Sequence, residues 1–523
     1  MAAQSTESLP DKTGFLFHKS TERKGTMTDR ALSRRAFLKT AGVATAAVGL
    51  AACQAPMAPA GDGEAAMGEA KELVTYWGGW TPTQSMERSE DNPLPHNKVL
   101  EVLDGYTEQH PDVSIEWIRV PQGISGREWT IAQQTAGTIP HITTHPHWHI
   151  KDDLDKNWWT ELTPYFHQPN PYIPAGDPGS ERWVDQFYPI PTGETLMRDG
   201  YYNIVFGLIT TFFYYNVDWF NDLGLEAPQN YAEFLSVCQA FRDEGIDAYG
   251  GWTGPVDDTD HWYRLQMGGM LMAGEIEPQV NPDRGTATRE EVACAVENGV
   301  FHPHLPQYQD WMKLWKENVQ YRPADWTTRA TDSHSRFLNK IEPIMENGTW
   351  SFPRLQYDPL VDFEWSTFFA PVVTRESSAY ATDPPTPAWP IGGPVGDQVA
   401  VTTRSEKDGV IDTAIDLMRW ISVPDNLYTI QSEIGTTMPN VKNVPVDPRF
   451  GDAFALLTEQ IGESQMFVYE VVTMDGESAE QTGQAWRSYM LDQMDLDTAL
   501  NIIKESFDAY ADRFIETEGL DCS

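Results

Sequence analysis

The sequence predicts an α/β protein. Short β-rich runs alternate with segments whose apolar residues recur at helical spacing. The opening unit reads strand–helix–strand, which requires a parallel sheet with a right-handed crossover. The length, 523 residues, suits two domains rather than one.

The elements follow in order. Leu73–Trp77 reads as a strand broken by Gly78-Gly79. Val99, Leu100, Val102, Leu103 and Tyr106 mark one face of a helix. Val113–Val120 is a second strand, and Trp129–Thr138 a helix. Pro140–Thr144 is a third strand, running into His145-Pro146-His147-Trp148-His149. Residues 155–202 are rich in Pro, Gly, Asp and aromatics and read as long loops. Gly207–Tyr215 is a strand, followed by a helix closed at Gly224. Asn230 caps a helix with Phe234, Leu235, Cys238 and Phe241 on its apolar face. Further helices are expected at 261–273, 308–318 and 329–338, with no pattern over 275–300. Ile344-Met345 leads to a turn at Glu346-Asn347-Gly348 before Trp350. Val399–Thr402 is a strand, and helices at 409–421, 483–494 and 498–515 close the chain.

The N-terminal segment carries an address. Ser33-Arg34-Arg35-Ala36-Phe37-Leu38-Lys39 precedes a run of small apolar residues ending Leu50-Ala51-Ala52-Cys53. Paired arginines before a weakly apolar run read as a twin-arginine export signal over residues 1–52. Small residues before one cysteine read as a lipoprotein cleavage site, with lipid on Cys53. Residues 53–70 read as a flexible tether. The apolar run Ala41–Ala52 is 12 residues long, and a spanning helix needs roughly 20. The expectation is an extracytoplasmic monomer anchored to the cell membrane by lipid.

Charge excludes one class of partner. The net charge is −40, and the signal holds eight Lys/Arg and four Asp/Glu, leaving −44 for the remainder. Phosphate backbones require a basic surface, so nucleic acid is excluded. Three cysteines remain after Cys53; a Cys238–Cys294 bridge and buried free thiols both stay open. All 19 tryptophans follow Cys53. Trp77, Trp80, Trp148, Trp252, Trp350 and Trp389 sit beside Gly, Pro or other loop residues, where flat side chains form either stacking surfaces or ordinary core.

Four blocks carry a family resemblance. They are Tyr214–Phe220 running through Gly224–Pro228 into Tyr231–Phe234; Phe337–Trp350; Gly392-Gly393 with Val399–Val401 and Trp420-Ile421; and Ala499–Phe514. In this order the chain from about Leu73 resembles family 1 extracellular solute-binding proteins, the sugar-type binding components of ABC importers. The resemblance implies a two-lobed periplasmic-binding-protein-like fold of type II, with ligand in the cleft between lobes joined by hinge crossings. It places lobe one at 71–208 plus 373–423 and lobe two at 209–372 plus 424–523. Crossings fall near 207–212, 368–373 and 422–427. The implied contacts are Trp77, Trp80, His145, His147, Trp148, Trp252, Trp350 and Trp389, with Asp257, Asp258 and Asp260 at the ligand's edge. The implied partners are a small-molecule ligand, an oligosaccharide, and an ABC permease, with no cofactor, metal or catalytic residue.

Two rival readings stay open. His141, His145, His147 and His149 fall within nine residues, a pattern compatible with a metal or a metal-associated or cationic solute. A secreted, acidic, Trp-rich chain also suits a glycoside hydrolase. No paired-carboxylate signature, Gly-x-Ser-x-Gly, His-Glu-x-x-His or Walker loop is present.

Overall fold

The computed structural model describes residues 70–523, apart from 90–91, 93, 122–123, 190–191, 193–194, 198–199, 251–261, 282–286, 325, 327–332, 359–360, 387–395 and 446–475, and without the side chains of Trp148 and Asp152. The export signal, Cys53 and the tether lie outside the described residues. No helix among the described residues is long and apolar enough to cross a membrane.

The strands are β1 (Lys71–Tyr76), β2 (Val113–Trp117), β3 (Ile142–Thr144), β4 (Leu196–Met197), β5 (Gly200–Tyr201), β6 (Ile204–Leu208), β7 (Thr211–Asn216), β8 (Tyr249–Gly250), β9 (Ile344–Gly348), β10 (Trp365–Phe368), β11 (Gly396–Val401) and β12 (Met438–Pro439). Two sheets organise the molecule, in the orders β12-β6-β11-β3-β1-β2 and β10-β7-β9-β8. In the first, β1 is parallel to β2 and β3, as the strand–helix–strand reading requires, while β11 is antiparallel to β3 and β6.

Local signals in the chain set many of these elements. Asn216 accepts from the Trp219 amide to start helix Val217–Leu223, and Gly224 ends it in the left-handed conformation that glycine adopts without penalty. Asn230 caps Tyr231–Asp243 in the same way, and Phe234, Cys238 and Phe241 bury beneath it. The segment 275–300 differs from expectation. It forms helices Glu277–Val280 and Arg289–Glu297, the second opened by a Thr288/Glu291 capping box.

The strand expected over 207–215 divides. β6 belongs to the first sheet and β7 to the second, and Ile209-Thr210 crosses between them. Each sheet has its own core. Leu73, Val102, Tyr106, Ile142, Val399 and Ile415 belong to the first, while Phe213, Phe234, Tyr249, Trp311 and Phe507 belong to the second. A smaller cluster holding Leu208, Phe212, Met345, Phe352 and Met438 spans the crossing.

Packing corrects the other two expected crossings. Val373 and Ala381 bury in the second core, so the chain is still in lobe two beyond 373 and reaches the first sheet only at β11. Helix Pro424–Ile434 places Leu427, Ile430 and Ile434 in the first core, where Val441 and Val444 join them. Lobe one therefore extends to Val444 rather than ending at 423. Helix Pro424–Ile434 packs on helix Lys98–Gln109, and Glu433 accepts from the Asn97 and Lys98 amides, a pairing between residues over 300 apart that local sequence does not announce.

The bridge is not Cys238–Cys294: Cys294 is bridged to Cys522, while Cys238 keeps the buried free thiol that the other reading allowed. The bridge ties the C-terminus to helix Arg289–Glu297, and the Asn298 side chain also donates to the Cys522 carbonyl at 2.8 Å.

Candidate functional site

The strand directions bring one edge of each sheet to the crossing. In the first sheet β1, β2 and β3 all end on the side where β6 ends and β11 begins. In the second, Thr211 at the start of β7 pairs with Gly348 at the end of β9, so Trp350 follows a carboxyl strand end beside the crossing. The Thr349 amide donates to the Thr210 carbonyl at 3.0 Å and fixes that corner. Carboxyl ends of strands leave the loops free to shape a binding crevice.

Two cavities open at these ends on lobe one. The larger, about 600 Å³, is walled by Tyr76, Gly78, Thr81–Ser85, Asn92, Arg119 and Val120. The smaller, about 150 Å³, is walled by Trp77, Gly79, Trp80, Thr144, Pro146, Asp397, Gln398 and Val399. Arg119 donates to the Pro82 carbonyl, so the loop after β2 supports the loop after β1.

Trp77 and Trp80 are brought together on the smaller cavity. Each is 2% exposed. Trp77 meets Trp80 and Trp117 edge-on, and Trp80 packs on Phe206. Among the described residues the Trp77 indole Nε1 has no hydrogen-bond partner, while Trp80 donates to the Asp397 carboxylate. Trp350 stands on the other lobe, edge-on to Trp262 at 5.3 Å. Its ring lies against Gly348, where a Cβ would overlap it, so only glycine leaves room for this placement.

The histidines are dispersed into structural roles. His141 Nδ1 takes the Val74 amide and Nε2 meets Asp408 at 3.0 Å, joining β1, β3 and the turn at 408. Burial lowers its pKa despite Asp408. His145 stacks on Trp159 with 4.7 Å between centroids and is 2% exposed. Burial, with His149 and Arg127 adding to it, holds its pKa at about 3. This ring is enclosed and lines neither of the two cavities. His147 opens the helix His147–Asp153, and its amide and Nδ1 both meet Gln398 Oε1, at 2.8 and 2.9 Å. Burial pushes its pKa down to about 4. Asp153 is fully buried and paired with Arg127 and Lys156. Among the described residues no group of three His, Cys, Asp or Glu side chains could hold a metal ion. The Trp148 side chain, Trp252, Trp389, Asp257, Asp258 and Asp260 lie outside the described residues.

Asp397 and Gln398 are the residues that sequence reading missed. Gln398 Oε1 also accepts from Asn203 at 2.9 Å, which locks β11 to β6 and to the His147 helix. Asp397 has a left-handed φ of 42°, and its carboxylate accepts from the Thr437 hydroxyl. Burial pushes its pKa up to about 6, opposed first by the Thr437 hydrogen bond. The one local cue was the acidic residue in Val395-Gly396-Asp397-Gln398, just ahead of an apolar strand.

The fold is two-lobed, with cavities at the carboxyl ends of strands beside the crossing. Residues 95–341 match the model of the bacterial extracellular solute-binding protein family, a span that holds the first of the four sequence blocks and the start of the second. Solved structures share the fold. The apo form of RafE from Streptococcus pneumoniae is similar with a TM-score of 0.58 at 12% identity, over 86% of this chain and 100% of that one. Maltose-bound MalE3 of T. maritima gives 0.57 at 14%, over 84% and 100%. A family 1 extracellular solute-binding protein from Bifidobacterium longum subsp. infantis gives 0.55 at 16%, over 84% and 100%. No curated protein matches the sequence.

Proposed function

We propose that this protein is the extracytoplasmic substrate-binding component of an ABC importer. It captures a carbohydrate between its lobes and delivers it to a membrane permease. The observation that carries this reading is the two cavities at the strand ends beside the interlobe crossing, the larger walled by Tyr76 with Thr, Ser, Gln and Asn side chains and the smaller by Trp77 and Trp80. Sugar rings present apolar C–H faces and a polar edge, so they suit aromatic walls beside Thr, Ser, Asn and Gln. The fold likeness to a raffinose-binding, a maltose-bound and a chitin-oligosaccharide-binding protein supports this substrate class.

The work is capture and release without chemistry on the ligand. Ligand bound to one lobe is enclosed when the other closes, and the permease reads the closed form. The Cys294–Cys522 bridge supports an oxidising compartment outside the cytoplasm. Twin-arginine export and lipid on Cys53 complete the proposal; Cys53→Ser would abolish incorporation of labelled fatty acid in cells.

A thermal-shift screen of the chain from Lys71 tests the substrate class. A ligand that binds only the folded state adds about 2.7 kcal/mol of stability at a hundred times its Kd. The expected outcome is a rise in melting temperature with one sugar series, and recovery of the sugar unchanged. A rise with spermidine, short peptides or Zn²⁺ alone would overturn the carbohydrate assignment, and turnover of the sugar would make the protein an enzyme.

A further inference from the structure

A covalent tie in the second lobe ends on the helix that touches the first. The Cys294–Cys522 bridge joins positions 228 residues apart, and both cysteines are partly buried. Cys294 lies on helix Arg289–Glu297, which presents Glu290 to Lys151 at 3.4 Å. Lys151 stands on helix His147–Asp153 of lobe one, and that helix starts at the smaller cavity. Pro146 precedes it and lines the cavity, and the His147 amide donates to Gln398 Oε1 at 2.8 Å. Burial keeps the His147 imidazole neutral, and the charges of Lys151 and Arg289 add to that effect, so both ends of the interlobe contact are felt there.

Side-chain spacing gives the bridge a hold on this contact. Glu290, Cys294 and Asn298 recur every fourth residue, which places them along one stripe of the helix. Two of the three are tied to the end of the chain: Cys294 through its sulfur, and Asn298 through a 2.8 Å hydrogen bond to the Cys522 carbonyl. A helix held at two points of one stripe resists turning about its axis, so Glu290 keeps its aim. The buried face, Val292, Ala293, Ala295 and Val296, has small side chains with few atoms to oppose such a turn. The frame behind the bridge is helix Leu496–Glu518, seated in the second core by Leu500, Ile503, Phe507 and Tyr510. The Tyr510 hydroxyl donates to the Arg289 carbonyl at 3.3 Å, next to Glu290.

We propose that the Cys294–Cys522 bridge is a positioning device for lobe closure, which fixes the rotation of helix Arg289–Glu297 and so holds Glu290 on Lys151 of lobe one. The bridge acts through Glu290 and touches no ligand. This rests on the reading above, in which the lobes close on a captured solute, and names a part of lobe two that the closed form draws on. Without the bridge the helix turns, Glu290 leaves Lys151, and the closed form loses up to about fivefold in population, the reach of one partly exposed ion pair.

The test is hydrogen exchange on the whole chain without ligand, in the unmodified protein, Cys522→Ser, Lys151→Ala and the double variant. The expected result for Cys522→Ser is exchange up to about fivefold faster in helix His147–Asp153, with β1 and β3 unchanged. Lys151→Ala should match it, and the double variant should exchange no faster than either single one, because both substitutions remove the same contact. Asn298→Ala removes the second hold on the stripe and serves if Cys522→Ser does not fold. Faster exchange confined to lobe two would overturn the proposal and leave the bridge a local staple, and so would additive acceleration in the double variant. Titration with raffinose, maltotriose and chitotriose then reads closure: a sugar bound by the unmodified protein should dissociate faster from Cys522→Ser, and unchanged dissociation would overturn the link. The exchange result needs no ligand, so failure of all three sugars to bind would count against the carbohydrate reading alone.

Discussion

His145, His147 and Asp397 give acid stability opposite signs within one narrow pH window. Burial holds the two imidazoles neutral, at about 3 and about 4, whereas in the unfolded chain they protonate near 6.5. Unfolding then takes up protons as pH falls, so their contribution is full above about 6.5 and is lost on acidification toward 4. Asp397 acts the other way. Its folded pKa, about 6, lies above the ordinary 3.8, so it favours the folded state at low pH and loses that contribution as pH rises through 6. Two histidines outweigh one carboxyl, and the melting temperature is expected to fall between pH 6.5 and 4. His145→Phe, which keeps the stack on Trp159, should flatten the fall, and Asp397→Asn should steepen it. Calorimetric scans across that range would read both slopes; parallel curves for all three proteins would reject the assignment. Asp397 was illegible in the sequence because its environment is assembled from Gly207 and Thr437, neither within reach along the chain.

At the scale of elements, what could be read was whatever is fixed locally. Asn216, Gly224 and Asn230 mark helix ends because capping is settled within four residues. Glu346-Asn347-Gly348 has turn-forming residues yet continues β9 as a strand. The reason is tertiary: Glu346 is buried, accepts the Tyr263 amide at 2.6 Å and pairs with buried Arg322 at 3.3 Å. Removing one partner of a buried pair leaves an uncompensated charge, so Arg322→Met is expected to cost about 3–5 kcal/mol, read as a lower denaturation midpoint. The C-terminal helices Gly476–Met490 and Leu496–Glu518 were legible from periodicity, but their attachment was not. The Cys294–Cys522 bridge closes a loop spanning 228 positions. A loop of that size constrains the unfolded chain strongly, and typical disulfides contribute about 2–4 kcal/mol. Cys522→Ser should lower the melting temperature and, in hydrogen exchange, loosen helix Leu496–Glu518 and helix Arg289–Glu297 before the first core. Uniform exchange across both lobes would count against that staple.

At the scale of the whole molecule, contacts between the lobes beyond the crossing include two polar ones among the described residues. Arg88, in the loop after β1, donates to the Tyr357 carbonyl at 2.9 Å and lies over its ring. Lys151, on the helix that His147 opens, meets Glu290 on helix Arg289–Glu297 at 3.4 Å. Burial opposes ionisation of Glu290, yet Lys151 and local hydrogen bonds hold its pKa below the ordinary value. Both members of the ion pair are partly exposed, at 29% and 41%. Such a pair contributes about 0–1 kcal/mol, too little to hold the fold and enough to shift an equilibrium between two lobe arrangements by up to about fivefold. The Lys151–Glu290 contact is expected to favour the closed arrangement. Lys151→Ala should leave the melting temperature within a degree or two and weaken sugar binding modestly, mainly through faster dissociation. High salt should produce the same weakening in the unmodified protein and little more in the variant, because screening removes the attraction that the substitution has already removed. Small-angle scattering with and without saturating sugar would report compaction in the unmodified protein and a larger mean radius for unliganded Lys151→Ala. Identical radii and a salt-independent affinity would show that closure does not draw on this contact.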